Sequence, residues 1–332
     1  MTIPFLQDHF TRLKNRQAAR EEFYQDVVHG LTASSKSLGA KYFYDAEGDK
    51  LFQRIMQCPE YYLTGCEQEI FEHQVQDLAT LICHHHASDF DLVELGPGDT
   101  AKSGYLLGEL QARGVDYTYF PIDISESIIQ TLEKTLPVKF PGMRVEGLQG
   151  DYLDMLKEAK LRSDKRKVVL FMGASIGNVP PEEALGFCKA LRKQLSPGDL
   201  LLVGFDLKKH PQVILDAYND KEGITRAFNL NLLKRINREL GADFNLEQFT
   251  HYPTYDPETG SCKSYLVSQR EQRVHIGPHA IRFAQGEPMF MEISQKYSLT
   301  EIQQLADRSG FKNLQQFQDS RKWFVDVMWQ CI

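Results

Sequence analysis

The residues best suited to holding a reactive small molecule fall between positions 91 and 152. Glu94-Leu95-Gly96-Pro97-Gly98-Asp99 follows a short apolar run. Two glycines one residue apart permit a tight turn and close approach of the backbone to a ligand at a helix N-terminus. With Ala101 the run reads GxGxxA, which taken alone also suits a dinucleotide. Three carboxylates add to it. Glu94 stands two residues before the first glycine, Asp123 closes the next apolar run, and Asp151 sits in Gly150-Asp151-Tyr152. Asp123 can accept from both hydroxyls of a ribose. Asp151 offers an acceptor to an adenine amino group beside an aromatic ring.

Asp123 by itself fits a nicotinamide cofactor as well, but Glu94, Asp123 and Asp151 together suit S-adenosylmethionine. Methyl transfer from that donor is an in-line displacement at a sulfonium carbon, which needs a deprotonated nucleophile at near-attack distance more than a strong base. A chain without a Ser-His-Asp or metal constellation is compatible with such chemistry. The cysteines Cys58, Cys66, Cys83, Cys188, Cys262 and Cys331 show no CxxC spacing, so reduced thiols are expected rather than disulfides or zinc. His84-His85-His86 follows an apolar helical stretch and reads as a polar helix end or loop, not a metal site; no metal is expected.

These residues need strands to carry them. Asp91–Leu95, Tyr117–Asp123, Lys167–Met172 and Leu200–Phe205 read as strands alternating with amphipathic helices, Ser125 capping one of them, and a third strand precedes Gly150. The alternation predicts an α/β fold with a parallel sheet and right-handed crossovers. Residues 1–80 read as helical, interrupted by Lys41-Tyr42-Phe43-Tyr44-Asp45. Residues 211–240 read as a helical stretch, followed by antiparallel strands with a turn at Asp256–Gly260 and a closing strand pair at 312–317 and 323–332. The division expected is a discontinuous second domain of 1–66 plus 207–296, and a sheet domain of 67–206 plus 297–332.

At 332 residues the chain can bury a substantial core. A net charge of −7 weighs against nucleic acid as partner, since phosphate binding draws on clustered Lys and Arg. No run of about 18 apolar residues suggests a membrane span, and the polar, charged start is not a secretory signal. A cytoplasmic monomer acting on a small molecule is the expectation.

Across nearly its whole length the chain resembles the histidine Nα-methyltransferases of ergothioneine biosynthesis. The motifs that carry the likeness are KYFYDAEGDKLF at 41–52, PEYY at 59–62, VELGPG at 93–98, PIDIS at 121–125, MGASIGN at 172–178 and MEIS at 291–294. The resemblance implies a Rossmann-like class I methyltransferase sheet with a second, α+β substrate-binding domain. It also implies stepwise methylation of L-histidine to the trimethylbetaine hercynine. Gly96, Gly98, Lys102, Asp123, Asp151 and Tyr152, with Glu94, match donor-binding positions. Asn178 and Tyr218 match those for the substrate carboxylate, and Glu292 and Ser294 the pair addressing the imidazole. Tyr61 matches a tyrosine at the substrate amine, with Tyr44 and Phe52 beside it; Tyr61 and Tyr44 are the catalytic candidates. Leu63, Gly65, Cys66 and Ser264 depart from the family's usual residues. Another amino acid or an imidazole metabolite is the alternative substrate. A nicotinamide-dependent oxidoreductase and a non-catalytic S-adenosylmethionine-binding regulator are the readings from other classes.

Overall fold

Apolar residues four apart mark the first helix: Phe23, Val27 and Leu31 are buried along one face of α1 (Pro4–Thr32). The computed structural model describes residues 4–86 and 90–332. After α1 and a 3-10 turn at Ala40–Phe43 comes α2 (Ala46–Met56), whose N-cap Asp45 accepts from the Gly48 amide at 2.8 Å. The long helix α3 (Tyr62–His86) follows, with His84 and His85 in its last turn. Among the described residues no cluster of three or more His, Cys, Asp or Glu could hold a metal ion.

The alternating elements then run β1 (Phe90–Leu95), α4 (Ser103–Ala112), β2 (Tyr117–Asp123), α5 (Glu126–Lys139), β3 (Arg144–Val145), β4 (Leu148–Gln149), α6 (Tyr152–Arg162), β5 (Arg166–Phe171), α7 (Pro181–Gln194) and β6 (Leu200–Asp206). Ser125 caps α5 through the Ile128 amide. The strand expected before Gly150 is broken into β3 and β4. Between them Gly147 lies against α5, where a Cβ would come within 2.4 Å of Ile129 and 2.9 Å of Glu133, so an ordinary strand residue does not fit.

The stretch from 211 is two helices, α8 (Pro211–Ala217) and α9 (Ile224–Leu240). The break has a local cause: Asp220 accepts from the amides of Ile224 and Thr225 at 2.8 and 2.7 Å, starting a new helix. The strands β7 (Phe249–Asp256), β8 (Ser261–Ser268), β9 (Gln272–Ile276), β10 (His279–Phe283) and β11 (Pro288–Gln295) come next, then α10 (Leu299–Ser309), β12 (Phe311–Gln318) and β13 (Phe324–Cys331).

By compactness the chain forms two units. One holds the chain up to Tyr61, Gln212–Tyr255 and Cys262–Glu292; the other holds Tyr62–Pro211, Asp256–Ser261 and Ile293–Ile332. The second unit is built on an eight-stranded sheet ordered β12-β13-β6-β5-β1-β2-β3, with β4 also on β2. β1, β2, β5 and β6 pair in parallel, whereas β13 joins β6 and β12 joins β13 in antiparallel fashion. This is a Rossmann-like α/β sheet, and in sheets of this kind ligands bind at the loops beyond the carboxyl ends of the strands. Its core runs through Val93, Phe120, Val169, Val203 and Trp329. The first unit has its own core, in which Phe23, Leu51, Phe228, Leu232, Phe249 and Met291 meet, with sheets ordered β11-β8-β7 and β10-β9. Among the described residues no helix is long and apolar enough to cross a membrane.

Candidate functional site

In the sheet unit, the ends of β1, β2 and β4 bring the predicted donor residues together. Gly96 and Gly98 take left-handed backbone, φ +71° and +55°, and the Gly96 amide donates to the Ile122 carbonyl at 2.9 Å. The Gly150 amide reaches the Asp123 carbonyl at 3.0 Å, so the turn, Asp123 and Asp151 share one edge. Tyr152 closes over the glycine: a Cβ at Gly96 would stand 2.7 Å from its hydroxyl. Its ring meets Phe171 edge-on at 5.9 Å.

Asp123 is half-buried; burial pushes its carboxyl up, against the pull of the Ser125 and Ile124 amides. Asp151 caps α6, accepting from the Leu153 amide at 2.9 Å. Glu94 lies beneath the turn, 2% exposed, and accepts from the Tyr119 hydroxyl. Burial pushes its carboxyl up to about 7, although Tyr119 and Lys102 oppose the shift. A glycine cradle that a side chain would fill, with half-buried and exposed carboxylates beside it, fits an adenosyl group.

Lys102 is also bound elsewhere. Its ammonium pairs with Glu67 of α3, whose other oxygen accepts from the Gly173 amide at 2.7 Å. Glu67 thus ties the loop after β1 to the Gly173–Ala174 turn after β5. Asp326 on β13 stands beside it: a Cβ at Gly204 would lie 2.7 Å from Glu67 Oε1 and 3.0 Å from Asp326 Oδ1. Among the described residues no donor reaches either Asp326 oxygen. Burial, and then the Glu67 carboxylate, push the Asp326 carboxyl well above the usual carboxylate range. Sequence reasoning missed this group. The available signal was a carboxylate, Glu67, among Leu63, Cys66, Ile70 and Phe71, which are buried on the same helix.

Asn178 and Ser294 also belong to the sheet unit. Gly177 packs its turn against β11; a Cβ there would be 2.8 Å from the Gln295 carbonyl and 3.6 Å from Ser294 Oγ. Asn178 is exposed and Ser294 is buried. Along β11, Glu292 and Ser294 alternate with Met291 and Ile293, so they share a face.

Four of the predicted rings form a chain of edge contacts in the other unit. Tyr218 meets Tyr61 at 6.1 Å, Tyr61 meets Phe52 at 6.5 Å, and Phe52 meets Tyr44 at 5.8 Å. Phe228 of α9, which the sequence gave no reason to single out from its apolar face, underlies both Tyr44 and Phe52 at 5.9 and 6.0 Å. Tyr44 is 38% exposed while Phe228 is buried, so the cluster is open on one side and anchored on the other. Of the positions departing from the expected pattern, Leu63 and Cys66 are buried on α3 and Ser264 on β8.

A family model described as histidine-specific, SAM-dependent methyltransferase matches residues 23–331. The chain is 34% identical over 282 residues to a histidine N-alpha-methyltransferase of Mycolicibacterium smegmatis, covering 84% of this chain and 86% of that one. It is 34% identical over 275 residues to the histidine N-alpha-methyltransferase of Mycobacterium tuberculosis, covering 82% and 84%. It is also 27% identical over 311 residues to an L-tryptophan methyltransferase of Psilocybe serbica, covering 86% of each chain.

Proposed function

The chain belongs to the histidine-specific, S-adenosylmethionine-dependent methyltransferases, and on that premise we propose that it methylates the α-nitrogen of L-histidine stepwise to the trimethylbetaine. The observation that carries the choice of substrate is the shared face of Glu292 and Ser294 on β11: a carboxylate and a hydroxyl two residues apart can satisfy both nitrogens of one imidazole.

When bound, S-adenosylmethionine supplies an electrophilic methyl group on a sulfonium. In this reading Gly96, Gly98 and Tyr152 seat the donor, Asp123 takes the ribose hydroxyls, Asp151 the adenine amino group, and Lys102 completes the donor site from the Glu67 pair. Asn178 and Tyr218 donate to the substrate carboxylate without adding charge. Tyr61 lies at the amine, with Tyr44 and Phe52 beside it. Their ring faces stabilise the methylammonium as it forms, by cation–π attraction, and shed water from the reacting nitrogen. The amine must attack with its lone pair, so no strong protein base is required beyond removal of its proton, which Tyr61 assists through water.

The likeness to a tryptophan methyltransferase, together with the small buried Ser264, makes an amino acid with a larger ring the second reading. Catalytic efficiencies for histidine, tryptophan, phenylalanine and leucine decide between them. A site that bonds both ring nitrogens rejects rings lacking them by a large factor, because its own polar groups are left unpaired. A preference for tryptophan or phenylalanine would support the second reading, and a preference for leucine would overturn both.

A further inference from the structure

β6 ends on Asp206, a carboxylate with no solvent exposure that collects donors from three segments of the sheet unit. The Tyr62 hydroxyl donates to its two oxygens at 3.0 and 2.8 Å. Lys209 pairs with Oδ1, and Lys296 Nζ lies 2.7 Å from Oδ2. Burial alone would raise the Asp206 carboxyl, but Lys296 and Lys209 hold it below its ordinary range. Lys296 is itself wholly buried, and its Nζ also donates to Ser294 Oγ at 2.7 Å.

An ammonium has hydrogens to give and no lone pair to receive one. In the bond to Lys296 the Ser294 oxygen is therefore always the acceptor. Its hydroxyl hydrogen is turned to another partner, and the adjacent positive charge strengthens it as a donor while weakening the remaining lone pair as an acceptor. A fully buried ion pair cannot swing away to relax this polarity, as an exposed lysine would.

Resting on the histidine reading above, we propose that Lys296, anchored by Asp206, fixes Ser294 as a hydrogen-bond donor, so that the substrate ring must present an unprotonated nitrogen to it. Neutral imidazole meets this demand with one nitrogen and keeps an N–H for a second partner. An indole or pyrrole ring has an N–H and no acceptor nitrogen, and is refused. Lys296 is thus a positioning residue that sets ring specificity without touching the substrate.

The test uses two sets of alanine derivatives of about the same size. Thiazolylalanines carry an acceptor ring nitrogen and no N–H; pyrrolylalanines carry the N–H and no acceptor. KM and kcat are measured for both sets and for histidine in wild type, Ser294→Ala, Lys296→Met and Lys296→Arg. Each ring leaves one partner unpaired, thiazolyl Glu292 and pyrrolyl Ser294, so both are expected to bind more weakly than histidine, and the readout is the pyrrolyl-to-thiazolyl ratio of KM. Lys296→Met should lower that ratio by about tenfold or more with kcat largely kept, because Ser294 can then turn and accept, and Lys296→Arg should restore most of it. If Lys296→Met does not fold, Ser294→Ala, which leaves the Lys296–Asp206 pair in place, should lower the ratio by itself. A ratio unchanged in Lys296→Met, as when KM rises equally for both sets, or unchanged in Ser294→Ala would overturn the proposal. If wild type does not methylate histidine yet shows the ring ratio and its collapse, the histidine reading fails and the role of Lys296 stands.

Discussion

Replacing Gly96 with alanine would place a methyl group where the Tyr152 hydroxyl already sits. Two costs arise, and a neighbouring glycine separates them. Both Gly96 and Gly98 hold left-handed backbone, which costs a residue with a Cβ about 1–2 kcal/mol. At Gly98 that is the whole cost, because nothing lies within 4 Å of the position a Cβ would take. At Gly96 the Cβ would be 2.7 Å from the Tyr152 hydroxyl, and the ring must retreat by about 0.7 Å to reach ordinary contact. That retreat works against the edge contact with Phe171 and adds about 1–3 kcal/mol of overpacking. Thermal unfolding and calorimetric titration with S-adenosylmethionine should be run on both variants. Gly98→Ala should lose about 1–2 kcal/mol of stability. Gly96→Ala should lose at least about 1 kcal/mol more and bind the donor about tenfold more weakly than Gly98→Ala. Equal losses of stability and affinity in the two variants would refute the placement of Tyr152 over the turn.

Other perturbations reach the remaining parts of the site. Glu94, held near about 7 against an ordinary 4.5, binds its proton more tightly in the folded than in the unfolded chain, so its contribution to stability falls as pH rises from 4.5 to about 7. At about 1.4 kcal/mol per pH unit, Glu94→Gln should gain on wild type by about 3 kcal/mol between pH 5 and pH 8 in urea unfolding; a constant gap would contradict the buried carboxyl. Asp123→Ala should weaken S-adenosylmethionine by about 1.5–3 kcal/mol, the loss of a charge-assisted hydrogen bond, and unchanged calorimetric affinity would remove Asp123 from the site. Glu292→Ala should cost about 2–3 kcal/mol in kcat/KM for histidine, and Glu292→Leu should narrow the gap to apolar amino acids; no change in either variant would detach Glu292 from ring recognition.

What was legible in the sequence was what is decided locally. The glycine turn, the strands β1 and β2 and the Ser125 cap follow from a few adjacent residues. What was not legible depends on partners distant in the chain. Lys102 reads as a donor contact, yet its partner Glu67 is 35 positions away and the carboxylate beside that, Asp326, lies on the last strand. Nothing near Ser294 in the sequence reveals that Lys296 is pinned to Asp206, because that contact needs β6 and β11 folded first. The break between α8 and α9 was within reach, since Asp220 and Gly223 are a cap and a left-handed start, but the apolar periodicity on both sides concealed it. The split into β3 and β4 was not, because it is imposed by α5 pressing on Gly147.

The most direct measurement incubates the protein with L-histidine and excess S-adenosylmethionine and follows the products by mass spectrometry over time. Mono-, di- and trimethylated histidine should appear in that order, with all methyl groups on the α-nitrogen and none on the ring. Equimolar phenylalanine and leucine should stay unmodified in the same mixture. Methylation of another amino acid with histidine left untouched, or methyl groups on the imidazole, would contradict the account.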